Sequence, residues 1–497
     1  MIELSEEDFQ ARLAFDNPWW DEAAALEYPV LAPTRHMPQR AYFSPFRALA
    51  EERGVRRAII LMGPRRVGKT ILMHQCIERW LRDGVAGRHL MFLSLETPIY
   101  TNIPLERFLR IFVERFGHTP STPLTILIDE IQYLPDWERH LTSLVNSYPG
   151  YRFIASGSAA AALKLKSRES GAGRFTEFLL PPLSFAEYLH FIGQDSLVEP
   201  AGHGDGRHFR CEDIATLNQH FLAYLNAGGY PEAVFNDAVR RESDRFIKND
   251  IIDKVLLRDL PQLYGIRDIQ ELNRLFNVLA YNTGNELSPE SLSQSSGVSK
   301  TTLAKYLEYL EAAFLIKRID RIDQNARRFQ RATAFKVYLT NPSMRAALFG
   351  GLAEDDQSMG ALAETALFSQ WFHHSPAAAQ IHYARWARGE IDMVHLDPRT
   401  QQPSWCAEIK WSDRPLRDPQ ALRHLLAFWK QHPGVRSCTI TTKTVQTEQT
   451  HAGRTLRFVP TSLQAYAAGR HAVGPEVPEA SGSVREEPPR RWELRLD

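Results

Sequence analysis

This sequence has no excess of charge of either sign. Its 59 lysines and arginines balance 59 aspartates and glutamates, so the formal net charge is zero. No global field draws it to nucleic acid or to a membrane surface; only a local basic patch can. Cysteine is scarce: Cys76, Cys211, Cys406 and Cys438 are scattered with no paired spacing. That suits a reducing compartment and excludes a short-motif zinc site. No apolar run approaches the roughly 18 residues that a membrane helix needs, so no membrane partner is expected. The start, MIELSEEDFQ, is acidic and unlike a signal peptide, and a cytoplasmic location is expected. What is present, 43% hydrophobic and 24% charged residues over 497 positions, is enough for several globular domains.

The chain is organised around residues 57–77. An apolar run, Ala58 to Met62, predicts a buried parallel strand, and a helical pattern begins near Lys69. Between them stands Gly63-Pro64-Arg65-Arg66-Val67-Gly68-Lys69-Thr70, the full G-x-x-x-x-G-K-[ST] spacing. The two glycines let the loop curl so that its amides face a phosphate. The helix N-terminus adds partial positive charge. Lys69 is expected on the β- and γ-phosphates of ATP, and the Thr70 hydroxyl on Mg²⁺.

Thr125-Ile-Leu-Ile-Asp129-Glu130 is an apolar strand ending in two carboxylates. Asp129 is expected to hold Mg²⁺ through water and Glu130 to polarise the attacking water. The strand at 89–96 lies between the two motifs in sequence, as in P-loop ATPases with an inserted central strand. A further strand, 151–158, ends in hydroxyls. Either Ser156 or Ser158 contacts the γ-phosphate or the lytic water, or the serines only close a turn. Arg174, in Gly171-Ala-Gly-Arg-Phe175, is either an arginine finger or part of a structural turn or surface ion pair. A finger supplied between subunits would require a homo-oligomer.

Four stretches, GPRRVGKT, TILIDEIQYLPDW, FIASGSAA and GAGRFTEFLLPPLSFAEY, together with YLNAGGYPE at 224–232, resemble a family of AAA-type ATPases widespread in bacteria and archaea. The resemblance runs through nearly the whole chain. It implies ATP binding and hydrolysis, and a C-terminal domain of uncharacterised function.

In the arm before residue 45, Asn17-Pro-Trp-Trp20 either packs onto the ATPase core or docks a partner. Residues 214–279 are helical and read as a lid, with Lys254 and Arg258 either as a second phosphate sensor or as solvated charges. In 286–318, Ser288 opens a short helix, Gly297-Val-Ser299 turns, and Ser299 caps a second helix. A strand pair within 315–322 would form a wing. This is a winged helix-turn-helix pattern. Lys300, Thr301, Thr302 and Lys305 would meet DNA at the start of the recognition helix, with Arg327, Arg328 and Arg331 nearby; the alternative is a packing module.

Glu364 lies on an apolar helix, Asp392 on a strand, and Glu408-Ile409-Lys410 on the next. That set resembles the PD-(D/E)xK nuclease superfamily. The resemblance implies Mg²⁺ at Glu364, Asp392 and Glu408 against a scissile phosphate, with Lys410 positioning water; the alternative is a surface ion pair of Glu408 with Lys410.

The expected fold class is thus α/β: a P-loop AAA-type core with helical lid, a winged helix-turn-helix and a C-terminal α/β nuclease-like domain. Boundaries are expected at 1–45 (arm), 46–195 (core), 196–284 (linker and lid), 285–330 (winged helix), 331–473 (nuclease-like domain) and 474–497 (disordered tail). The expected function is ATP hydrolysis coupled to a nuclease-like domain acting on DNA. Its alternative is a nucleotide-dependent switch working through protein contacts.

Overall fold

The structure is a computed structural model that describes residues 6–21, 28, 31–35, 37–100, 103–157, 173–201, 208–328, 334–372, 380–387, 389–435, 437–451 and 454–472. Ser158, Arg331, the glycine hinge at 171–172 and the tail expected at 474–497 lie outside them.

The first sheet contains β1 (Ala58–Met62), β2 (Leu90–Ser94), β3 (Thr125–Asp129), β4 (Arg152–Gly157) and β5 (Phe175–Leu179), ordered β2-β3-β4-β1-β5. All its pairings are parallel. Its central strands β1, β3 and β4 are buried at every residue, as unbroken apolar runs must be when a parallel sheet is covered on both faces. The strand lying between the P-loop strand and the Asp129 strand is β4, with Ile60 beside Ala155 and Leu127 beside Ile154. Residues 90–94, the inserted strand by sequence order, instead form the sheet edge. Order along the chain does not fix order across a sheet.

The arm protects that edge. Asn17 uses its side-chain amide as a strand would, donating to the Phe92 carbonyl at 2.9 Å and accepting from the Phe92 amide at 2.6 Å. The Trp19 and Trp20 indoles both donate to the Leu90 carbonyl. An open edge is thereby closed to further pairing.

Helices follow the core: Ile214–Ala227, then a nearly continuous rod over 243–264 whose stretches Ile247–Asp253 and Val255–Asp259 are π-helical, then Ile269–Tyr281. Two short strands, β6 (Glu199–Pro200) and β7 (Phe209–Arg210), pair antiparallel. Pro289–Ser296 and Lys300–Ala312 make a helical pair around Gly297, whose φ of 76° suits glycine. Leu292, Val298, Leu303, Leu307 and Leu310 of this pair join the same apolar core as the first sheet.

The expected strand pair within 315–322 is a single strand, β9 (Ile316–Ile322). Both of its partners, over 335–339 and 381–386, come later in sequence. With β8 (Glu286–Leu287), β10 (Phe335–Leu339), β11 (Ile381–Trp386), β12 (Gly389–Leu396), β13 (Pro403–Glu408), β14 (Ser437–Thr442), β15 (Thr447–His451) and β16 (Arg454–Pro460), it forms a nine-stranded mixed sheet, ordered β15-β16-β14-β13-β12-β11-β9-β10-β8. β9 pairs antiparallel with β10 and parallel with β11. The division expected at 330/331 therefore falls inside one sheet. Helices Met359–Phe372 and Thr461–Ala472 pack together in the core on one face, and Arg423–Gln431 covers the other. Cys406 and Cys438 face each other across β13 and β14, as free thiols 3.0 Å apart.

Candidate functional site

The P-loop leaves β1 at Met62 and enters the helix Lys69–Arg82. Its glycines do different work. Gly68 has a φ of 94°, a left-handed turn. A Cβ on Gly63 would lie 2.0 Å from the Leu180 carbonyl oxygen, so Gly63 is required by close approach of another strand's exit. Arg66 is also left-handed, at φ 63°. The Lys69 ammonium folds back onto the Gly63 and Pro64 carbonyls at 3.1 and 2.8 Å. Burial lowers its pKa, against the pull of Glu130 and Asp129.

The parallel sheet brings the ends of β3 and β4 to the same edge. Thr70 Oγ1 donates to Asp129 Oδ2 at 2.8 Å. The Ser156 hydroxyl donates to the other oxygen, Asp129 Oδ1, and accepts the Glu130 amide. Burial, then Glu130, pushes Asp129 up to about 6. Such a buried, proton-hungry carboxylate one hydroxyl from the helix start is what a cation would discharge. Glu130 itself is left-handed at φ 55°, which is strained for a non-glycine residue, and Gln132 Nε2 donates to its carboxylate. Of the two serines considered, Ser156 is at this edge, touching Asp129.

Arg174 stands at the other end. Its carbonyl accepts the Ala58 amide, and the next residue, Phe175, pairs with Ala58, whereas Met62 pairs with Leu179. Four residues of strand, roughly 13 Å, separate it from the loop. Arg174 is therefore no finger for its own subunit, because β5 runs parallel to β1. Lys254 pairs with Asp250 at 3.0 Å, and Arg258 lies over the Tyr133 ring.

Two contacts had no legible signal. Buried Arg40 donates to Glu187 Oε1 and Oε2 at 2.6 and 2.9 Å, to the Val67 carbonyl at 2.8 Å and to the Pro181 carbonyl at 3.0 Å. It thus ties the arm to the P-loop and to the loop after β5. Arg65 forms a two-pronged ion pair with Asp259, at 2.7 and 2.9 Å.

In the nine-stranded sheet, Asp392, Glu408 and Lys410 meet. The Lys410 ammonium lies 2.9 Å from Asp392 Oδ2 and 2.8 Å from Glu408 Oε1, and the Ile409 amide donates to Asp392 at 2.8 Å. Glu408 Oε2 is buried with no hydrogen-bond partner. Burial, then Asp392, pushes Glu408 up to about 8. Despite burial, Lys410 and then Lys336 hold Asp392 below its usual range. Glu364 does not complete a metal triad. Its carboxylate is taken by Lys336 Nζ at 3.0 Å and by the Tyr338 hydroxyl, and Lys336 also reaches Glu390 at 2.7 Å. The buried ammonium of Lys336, which spacing did not reveal, supplies Glu364 with its countercharge. Among the described residues no three His, Cys, Asp or Glu side chains gather so as to hold a metal ion.

On the second helix of the helical pair, Lys300, Thr301 and Lys305 are exposed, and Thr302 bonds to the Ser299 cap. Lys300 pairs with Glu290 at 2.6 Å. Among the described residues no helix is long and apolar enough to cross a membrane.

A five-stranded parallel sheet with a phosphate loop after β1, and a carboxylate pair after a strand one removed from it, defines a P-loop nucleotide-binding domain. Residues 55–189 match a family described as an AAA domain, so this part of the chain is an AAA-type ATPase-like domain. Residues 218–355 match a domain of unknown function (DUF8612). An uncharacterized protein of Haemophilus influenzae is 25% identical over 296 residues, 59% of this chain and 69% of that protein. Another, of Methanocaldococcus jannaschii, is 26% identical over 322 residues, 62% of this chain and 66% of that protein. A Walker-type ATPase of Pyrococcus abyssi is similar at a TM-score of 0.40 and 15% identity, over 66% of this chain and 99% of its own.

Proposed function

We propose that this protein hydrolyses ATP and couples the nucleotide state to phosphodiester chemistry on DNA in the nine-stranded domain. For hydrolysis, Lys69 leaves the Gly63 and Pro64 carbonyls for the phosphates, and Thr70 and Asp129 hold Mg²⁺. Glu130 orients the attacking water and accepts its proton. Ser156 fixes Asp129 and the Glu130 amide, so the two carboxylates keep their separate roles.

The observation that carries the second half is the meeting of Asp392, Glu408 and Lys410, with Glu408 Oε2 left unpartnered in a buried position. A donor set of two carboxylates with one bare oxygen fits a divalent cation, held by Asp392 and Glu408 without Glu364. Mg²⁺ bound there would supply Lewis-acid charge against a phosphate. Lys410 would orient water, and exposed Lys300, Thr301 and Lys305, with Thr302 beside them, would meet the nucleic-acid backbone. The test is incubation of the full chain with ATP, Mg²⁺ and linear, circular and single-stranded DNA. Cleavage that Glu408→Ala or Lys410→Ala abolishes supports the reading; no cleavage of any form refutes it.

A second reading, a nucleotide-driven switch acting through protein contacts, is favoured by the Lys300–Glu290 pair and by zero net charge. DNA affinity measured against salt separates the two, because phosphate binding weakens steeply as salt rises.

A further inference from the structure

Arg174 stands at the far end of β5 from the phosphate loop of its own subunit, so within one subunit the charge that gathers on the terminal phosphoryl group calls for another cation beside Lys69. We propose that Arg65 is that residue, and that Asp259 holds it as a phosphate surrogate until ATP arrives. The inference rests on the reading of the P-loop as a site of ATP hydrolysis, and is independent of the chemistry proposed for the nine-stranded domain.

The geometry carries it. Arg65 is a residue of the phosphate loop itself, four positions before Lys69. Its guanidinium is engaged fork to fork, Nε to Asp259 Oδ2 at 2.7 Å and Nη2 to Oδ1 at 2.9 Å, with the two side chains only 14% and 11% exposed. That fork fits a carboxylate and a phosphate alike, which an ammonium does not. Asp259 also lies close enough to Lys69 to act on its charge, and Glu130 and Tyr133 lie close enough to act on Arg65. One carboxylate thus stands within the field of both cations that a triphosphate would claim.

Asp259 is the last residue of the π-helical stretch Val255–Asp259. π-Turns are rare and are found frequently at functional sites. The same rod is tied to the loop a second time. Arg66 reaches Glu232 at 3.1 Å and Asp250 at 3.6 Å and lies over the Phe246 ring. Adjacent arginines of one phosphate loop therefore both point at the helical segment 232–259. A triphosphate carries several negative charges against the single charge of Asp259. It outcompetes Asp259 for Arg65, and one of the rod's two ties to the loop is released. Arg65 is then the catalytic residue, and Asp259 its positioning residue.

The experiment uses the full chain with Mg²⁺ and fluorescent ATP and ADP analogues, together with turnover of unlabelled ATP. Asp259→Asn should tighten ATP binding at least threefold and leave ADP binding within twofold, because only the terminal phosphate competes. Arg65→Lys, which keeps the charge and loses the fork, should lower kcat at least tenfold with ADP affinity within twofold. In the Arg65→Lys background, Asp259→Asn should no longer change ATP affinity. Limited proteolysis of the rod should increase with ATP in the wild type and become independent of ATP in Asp259→Asn. Arg65→Lys turning over within threefold of wild type, or Asp259→Asn shifting ATP and ADP equally, overturns the proposal while the hydrolytic site stands. A wild-type chain that binds ATP without hydrolysing it overturns both.

Discussion

The buried pair Arg40–Glu187 makes a quantitative claim about how the arm, the phosphate loop and the exit of β5 cohere. The side chains are 5% and 4% exposed. Glu187 also accepts the Ser184 and Ala41 amides, each at 3.1 Å, so the helix Phe185–Phe191 is capped by the same carboxylate. Arg40→Met keeps the side-chain length and removes the charge. It takes the guanidinium from the buried Glu187 carboxylate and removes the donor that the Val67 and Pro181 carbonyls share. Breaking a buried pair from one side costs about 3–5 kcal/mol. In Arg40→Met/Glu187→Gln no charge is stranded, and the expected coupling between the two sites is about 2–3 kcal/mol. The assay is urea unfolding followed by the fluorescence of Trp19 and Trp20, which are buried where the arm meets β2. Because the Val67 carbonyl belongs to the phosphate loop, Arg40→Met should also weaken nucleotide binding by about tenfold, or about 1.4 kcal/mol. A loss under about 1 kcal/mol, or a double variant equal to the sum of the singles, would refute this account of the pair.

Lys69→Ala should abolish nucleotide binding in a filter or fluorescence assay, since no other ammonium of the loop replaces it. Glu130→Gln should bind ATP normally and lose turnover by at least about 100-fold; retained turnover removes Glu130 from its role. Gly63→Ala should lower both stability and nucleotide affinity, because its Cβ would collide with the Leu180 carbonyl oxygen at 2.0 Å. For Glu408, whose pKa rises on folding to about 8, protonation favours the folded state. Its contribution is complete below its ordinary value near 4.5 and is lost as pH climbs through about 8. Thermal unfolding of Glu408→Gln should therefore match wild type at pH about 5 and exceed it at pH about 9; the reverse order would place the proton elsewhere.

The phosphate loop and the Asp129-Glu130 strand end were legible because their chemistry is local. A glycine turn, a helix start and an apolar strand are each encoded within ten or so residues, and the loop presents its amides wherever it is placed. Gly297 and the Ser299 cap were legible for the same reason. Alternation along β13, carried two residues past its end at Glu408, likewise put Glu408 and Lys410 on one face, and the β12–β13 pairing brought Asp392 to them. By itself, then, the sequence determined the nucleotide-binding domain and the carboxylate–lysine set.

Sheet order, pairing partners and the ends of strands were decided only in three dimensions. Parallel pairing of β5 with β1 carried Arg174 away from the site. The same edge-to-edge logic made β4 the intervening strand and set Ser156 beside Asp129. β9, before the boundary expected at 330/331, pairs with β10 and β11 beyond it, which merged two expected domains into one sheet. Lys336 took Glu364, Arg40 met Glu187, and Arg65 met Asp259 from far along the chain. Such contacts follow from which buried charges lie within reach of one another after the apolar faces have closed. Spacing along a chain carries no record of that, because a charge buried by folding takes whichever countercharge the packed elements bring to it.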